Sequence, residues 1–189
     1  QVERQQVEAQ MLWKWGLQSY ISPSNPQYYG YPHSIVIKNI ANRLNVDYAY
    51  GIAIGSNAGA TGQLMGTVAI GTNAARYTQG ADAVAIGSAA GYISQQGSAV
   101  AIGASAGMTR QESGAIAIGY QAGAQSQGAY SLAIGYQAGY NKQGSQSFAL
   151  GYQAAQSYQG NNALSIGYKA GQSTQGTGAL ALGYQSGQL

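Results

Sequence analysis

From Gly55 to Gly183 the chain repeats itself every sixteen residues, without a single insertion or deletion. The recurring glycines are Gly55, Gly71, Gly87, Gly103, Gly119, Gly135, Gly151, Gly167 and Gly183. A fixed period of this kind marks a repeat architecture, in which each unit buries its apolar surface only against its neighbours.

Aligned on that glycine, the units share a short pattern. The preceding residue is always Ile or Leu: Ile54, Ile70, Ile86, Ile102, Ile118, Ile134, Leu150, Ile166 and Leu182. Before it stands Ala, replaced once by Ser165, and before that another large apolar residue such as Val68, Val84 or Phe148. Large-small-large-Gly is period-two alternation and reads as a short strand. On this reading the Ile/Leu row is the structural core and points inward, while the Ala/Gly face is left open for close packing. Eight residues after each glycine comes Gln, from Gln63 through Gln79, Gln95, Gln111, Gln127, Gln143 and Gln159 to Gln175. Each unit therefore runs strand, turn, second short segment and glycine-bearing turn.

Sixteen residues cannot fold alone, because ordering their backbone costs more than two buried aliphatic side chains contribute. Neighbouring units must share hydrogen bonds and stack equivalent side chains in register. The expected fold is all-β: a parallel β-roll or β-solenoid of nine sixteen-residue coils over residues 50–189. Eight steps of about 4.8 Å give a rod of roughly 38 Å. An α-helical repeat needs a longer period and less glycine. A small-residue face presented by every coil invites copies of the chain to pack there, as a cyclic homo-oligomer whose axis runs along the rod.

Units such as Val84-Ala85-Ile86-Gly87-Ser88-Ala89-Ala90 resemble the head repeats of trimeric autotransporter adhesins, the YadA-like head. The later form, Ile134-Gly135-Tyr136-Gln137-Ala138-Gly139 with Gln143-Gly144, is similar to repeats in phage tail fibres and in surface fibres of large DNA viruses. The resemblance covers residues 50–189, and the period here is longer than the commonest head unit of the adhesins. It implies a left-handed roll, a homotrimer, and a place on a cell or virion surface. It further implies attachment to a host-surface glycan or protein.

The formal charge of +3 is small, and beyond residue 50 only Arg76, Asp82, Arg110, Glu112, Lys142 and Lys169 are charged. A basic stripe for phosphates is missing, so no nucleic-acid partner is expected. Without cysteine there are no disulfides or thiolate metal sites. The single histidine, His33, lies in a Pro/Tyr-rich stretch. No Ser/His/Asp set, carboxylate pair, phosphate loop or Asp-bearing calcium repeat is visible. The expectation is no enzyme, no catalytic residues, no metal and no cofactor. Without an apolar run of transmembrane length, direct membrane insertion of this segment is not expected either.

Ahead of the coils, residues 1–16 carry Val7, Met11 and Trp15 at helical spacing, with Leu12 beside them. They read as a helix that serves as an anchor, a stalk end or a cap. Residues 17–49 read as a neck and cap rich in Pro and Tyr, with a strand over 34–40. The chain stops at Leu189 inside the ninth coil. Since solenoids need caps, either the natural chain continues or another subunit covers that end.

The coils change character midway. The residue after the glycine passes from Ser56, Thr72, Ser88 and Ala104 to Tyr120, Tyr136, Tyr152, Tyr168 and Tyr184. The next position becomes Gln121, Gln137, Gln153, Lys169 and Gln185. This ladder is either structural stacking or a binding strip for a glycan or protein. Two functional readings share the fold: a fibre or adhesin segment that attaches to a host surface, and a structural spacer whose binding site lies on another domain. A hexapeptide-type acyltransferase conflicts with the period and with the absence of His in the coils. An ice-binding solenoid conflicts with the switch to Tyr.

Overall fold

The computed structural model describes residues 51–188, all of them in one parallel β-solenoid of about eight turns. The helix expected over residues 1–16, the neck over 17–49 and its strand at 34–40 lie outside the described residues. No helix occurs among the described residues. One sheet stacks β1 (Ile52–Ile54), β3 (Val68–Ile70), β5 (Val84–Ile86), β7 (Val100–Ile102), β9 (Ile116–Ile118), β11 (Leu132–Ile134), β13 (Phe148–Leu150), β15 (Leu164–Ile166) and β17 (Leu180–Leu182). The other stacks β2 (Thr61–Gln63), β4 (Tyr77–Gln79), β6 (Ile93–Gln95), β8 (Thr109–Gln111), β10 (Ser126–Gln127), β12 (Lys142–Gln143), β14 (Tyr158–Gln159) and β16 (Thr174–Gln175). Every pairing is parallel and shifted by one period, so Ile54 faces Ile70 and Gln127 faces Gln143.

The strand alternation is present, but its phase is the reverse of the one expected from side-chain size. Ala69, Ala85, Ala101, Ala117, Ala133 and Ala149 are fully buried between the sheets. So are Ala74, Ala90, Ala106, Ala122, Ala138 and Ala154 from the following turn. The nine residues expected as core instead face outward: Ile54, Ile70, Ile86, Ile118, Ile134 and Ile166 are half-buried, and Ile102, Leu150 and Leu182 are exposed. A sixteen-residue coil encloses too narrow a cross-section for two branched aliphatics, since interiors are close-packed and fill only with what fits. Thr67, Ser131 and Ser147 join the interior because each hydroxyl donates to a carbonyl three residues back, Thr67 Oγ1 to Leu64 O at 3.1 Å and Ser131 Oγ to Gly128 O at 2.6 Å.

The largest fully buried side chains are glutamines. Gln79 Nε2 lies in donor range of Val68 O (3.0 Å), Ala83 O (3.0 Å) and the next coil's Gln95 Oε1 (3.2 Å). The first carbonyl belongs to the opposite sheet, so each amide ties the two sheets together across the interior. Burying an amide is tolerable only when its hydrogen bonds are made. Amide-to-amide bonds run unbroken from Gln63 to Gln127, with N···O distances of 2.9, 3.2, 3.1 and 3.1 Å. The row resumes between Gln159 and Gln175. Ser165, the one departure from Ala on this strand position, donates its hydroxyl to Gln175 Oε1.

The recurring glycine is fixed by both conformation and space. At Gly119 φ is +127°, and a Cβ there would stand 2.5 Å from the carbonyl oxygen of Gly135 in the next coil. L-residues rarely adopt this backbone conformation. Replacing Gly119 with Ala should therefore destabilise the roll by about 1–3 kcal/mol, read as a lower thermal midpoint by circular dichroism. An unchanged midpoint would show that the coils spread freely. Replacing Gln111 with Leu leaves buried acceptors at Val100 O and Ala115 O. The expected cost is about 1–3 kcal/mol per orphaned group, measured by the same melt.

Candidate functional site

The turn that leaves the first sheet carries the expected ladder. The glycine, with its positive φ, reverses the chain, and the residue two further on adopts a left-handed conformation. Its φ is 54° at Gln121, 51° at Gln137, 52° at Gln153 and 54° at Lys169. This kink holds the intervening Tyr at the outer rim in every coil from Tyr120 on. Successive rings of Tyr120, Tyr136, Tyr152, Tyr168 and Tyr184 stack with centroids 5.4, 5.0, 5.2 and 5.1 Å apart and interplanar angles of 16°, 7°, 8° and 8°. Because equivalent positions recur in register at about 4.8 Å per step, identical rings with the same side-chain conformation fall into a near-parallel stack.

Beside the rings run amides in two rows. Gln137 Nε2 donates to Gln121 Oε1 at 2.8 Å, and Gln153 Nε2 donates to Gln137 Oε1 at 3.0 Å. Gln156, Gln172 and Gln188 form a second row, cross-linked to the first by Gln156 Nε2 to Gln137 Oε1 (2.8 Å) and Gln172 Nε2 to Gln153 Oε1 (3.2 Å). Sequence reasoning missed this second row, although its sixteen-residue spacing was there to be read. Lys169 interrupts the first row ahead of Gln185 and places its ammonium 5.5 Å from the centre of the Tyr168 ring.

The geometry decides what such a strip can do. Each inner ring has its faces covered by its neighbours, so only ring edges and hydroxyls reach solvent. Recognition by laying a sugar ring on an aromatic face is therefore closed to Tyr136, Tyr152 and Tyr168. Gln137, Gln153, Gln156 and Gln172 each also direct a donor to a neighbouring amide. Tyr and Gln here act first as a staple along the rim.

Two other surfaces are built by the fold. The outer face of the first sheet carries two unbroken rows of aliphatic side chains, with Val68, Val84, Val100 and Ile116 in one and Ile70, Ile86, Ile102 and Ile118 in the other. Near its far end Phe148 is 45 % exposed and Leu180 is 67 % exposed. The second sheet is polar outside and changes form at the fifth coil. Its early strands have three residues, with a left-handed residue in the middle: Gly62, Thr78, Ser94 and Arg110. From Ser126 on, that position is extended, and its N–H donates to the next coil, as in Ser126 N to Asn141 O at 3.1 Å. The interior amide row breaks at the same place, leaving Gln143 Oε1 and Gln159 Oε1 buried without partners among the described residues.

No family model, curated protein or solved structure matches the chain. The fold defines a class, the parallel β-solenoid repeat proteins. Among the described residues no cluster of metal-ligating side chains forms, and no helix is long and apolar enough to cross a membrane.

Changing Tyr136, Tyr152 and Tyr168 together to Ser removes all four ring pairs. At about 0.5–1 kcal/mol per pair the roll should lose about 2–4 kcal/mol, measured by denaturant unfolding. A variant as stable as the parent would return the ladder to the status of a recognition strip.

Proposed function

We propose that this chain is a segment of a surface-displayed trimeric fibre of the adhesin or tail-fibre kind. In it a left-handed β-roll serves as a rigid rod for attachment to a host cell or surface. The observation that carries the reading is the double aliphatic row along the whole outer face of the first sheet. Water-exposed apolar surface of this length is rare on a monomer and marks a face that another protein covers. A second and third copy of the same chain are the natural cover, because a row repeated at every coil is complementary to itself under rotation about a parallel axis. The number three comes from the resemblance of the repeats to trimeric heads. The small-residue face invoked from sequence cannot be the contact, since it is buried within each chain.

Mechanically, the rod works through geometry. Every coil is hydrogen-bonded to the next, and a trimer would present three identical outer surfaces. Three weak sites on one rigid body gain avidity over one. The runner-up is a fibre spacer whose binding site lies on another domain, and the covered ring faces of the Tyr ladder favour it over a Tyr-based binding strip.

Light scattering on a sizing column tests the assembly. A mass of about 58 kDa is expected, three times the 19.4 kDa of one chain, and a stable monomer would overturn the trimer. Replacing both Ile86 and Ile118 with Asp should leave the coils folded, because these side chains point outward. It should also release single chains, seen as a drop in mass with an unchanged far-ultraviolet spectrum. Collapse of the fold instead would put the aliphatic row back in each chain's own core. Binding of labelled rods to candidate host cells then separates attachment from a spacer role.

A further inference from the structure

Half of the six charged residues of the coil region lie within three consecutive coils: Arg110, Glu112 and Lys142. They fall where the second sheet changes from its early to its late form. Arg110 is the last left-handed residue of its row, with φ 48°, and Ser126 and Lys142 are the first extended ones. Two hollows lie at this change, one of about 460 Å³ and one of about 290 Å³, and Arg110 and Glu112 line both. The pair therefore forms one groove running along the rod across the second sheet.

The groove's chemistry is specific. Arg110 and Lys142 occupy the same row two coils apart, which places their backbones roughly 10 Å from each other along the axis. The Lys142 ammonium is held 5.3 Å from the centre of the Tyr158 ring. Glu112 lies exposed beside them, one carboxylate oxygen engaged at the surface, its Oε2 accepting from Ala129 N at 3.2 Å. Between and beside the cations the walls are hydroxyl and amide groups, among them Ser113, Ser145 and Asn161. Two cations against one carboxylate give too little charge for a polyphosphate backbone, and the walls offer no apolar anchor for a peptide.

We propose that this groove binds an acidic saccharide lying along the rod. Arg110 and Lys142 take its carboxylate or sulfate groups, and the Ser and Asn side chains take its hydroxyls. The guanidinium suits a planar bidentate anion, and the ammonium acts as a point charge. The biological meaning rests on the attachment reading above; the binding itself does not depend on trimer formation.

The molecule supplies its own control substitutions. Ser94 stands where Arg110 does one coil earlier, with the same left-handed backbone, and Ser126 stands where Lys142 does. Arg110→Ser with Lys142→Ser should therefore fold as the parent does. The full chain is titrated by calorimetry with sialyllactose, with a heparin-derived oligosaccharide and with lactose. The parent should bind at least one acidic probe, more weakly as salt is raised, and should ignore lactose. Which probe binds distinguishes carboxylate from sulfate. The double variant, with an unchanged melting curve, should lose about tenfold or more in affinity, the size of a lost charge-assisted contact. Equal binding by the double variant, or no binding of either acidic probe by the parent, overturns the proposal. A rod that attaches to cells yet ignores both probes loses this groove and keeps its attachment role. Probe binding by a rod that attaches to no cell keeps the groove and loses that role.

Discussion

Everything in this molecule depends on the backbone hydrogen bonds between one coil and the next. From Gly71 on, the N–H of each recurring glycine donates to the Ile or Leu carbonyl one coil earlier, as in Gly71 to Ile54 at 2.7 Å and Gly135 to Ile118 at 2.9 Å. Those bonds form only if the strands of successive coils stay in register. An extra residue within a strand would turn the side chains beyond it in that strand to the wrong face. Regular spacing thus follows from the ladder, and it converts every position of the unit into a row along the rod. Ala becomes a packed interior, Gln a buried amide chain, Tyr a stack and Val/Ile an apolar stripe.

The interior is polar to an unusual degree for something so thin. An Ala-only core would leave the sheets with little to hold them at a fixed distance. The glutamines solve this by reaching across and bonding backbone carbonyls of the opposite sheet, as Gln111 does to Val100 O at 2.7 Å. Such a network is valuable only when complete, because an unpaired buried amide is costly. Its interruption at Gln143 and Gln159 coincides with the change in the second sheet. There the Tyr stack adds to the inter-coil cohesion. The rod is therefore two related solenoids joined end to end, with the joint marked by charge and by a groove.

The surfaces divide the labour. The first sheet turns its aliphatic rows outward and is suited to another copy of the chain. The rim carries stacked rings and amides that are largely occupied with each other. The second sheet, on the opposite side of the Ala and Gln interior, carries polar and charged groups on its outer face.

The sixteen-residue spacing by itself determined the solenoid, the parallel in-register pairing and the existence of a Tyr ladder, because equivalent residues in such a fold must stack. The glycines gave the turns, since only a residue without a side chain fits where Gly119 faces the next coil's carbonyl. The sequence could not give the phase of the strand. Val-Ala-Ile alternates equally well with either face inward, and size suggests the larger residues. The tertiary structure decided otherwise, because the cross-section of a sixteen-residue coil admits Ala and one extended Gln but not two branched aliphatics. A hint lay in the rows themselves. The position of Val68 varies freely up to Phe148, as a surface row can, while the position of Ala69 departs from Ala only at Ser165, whose hydroxyl finds a glutamine. The groove at Arg110 and Lys142 was likewise invisible in the chain order, because it arises from a change of backbone path that no single residue announces.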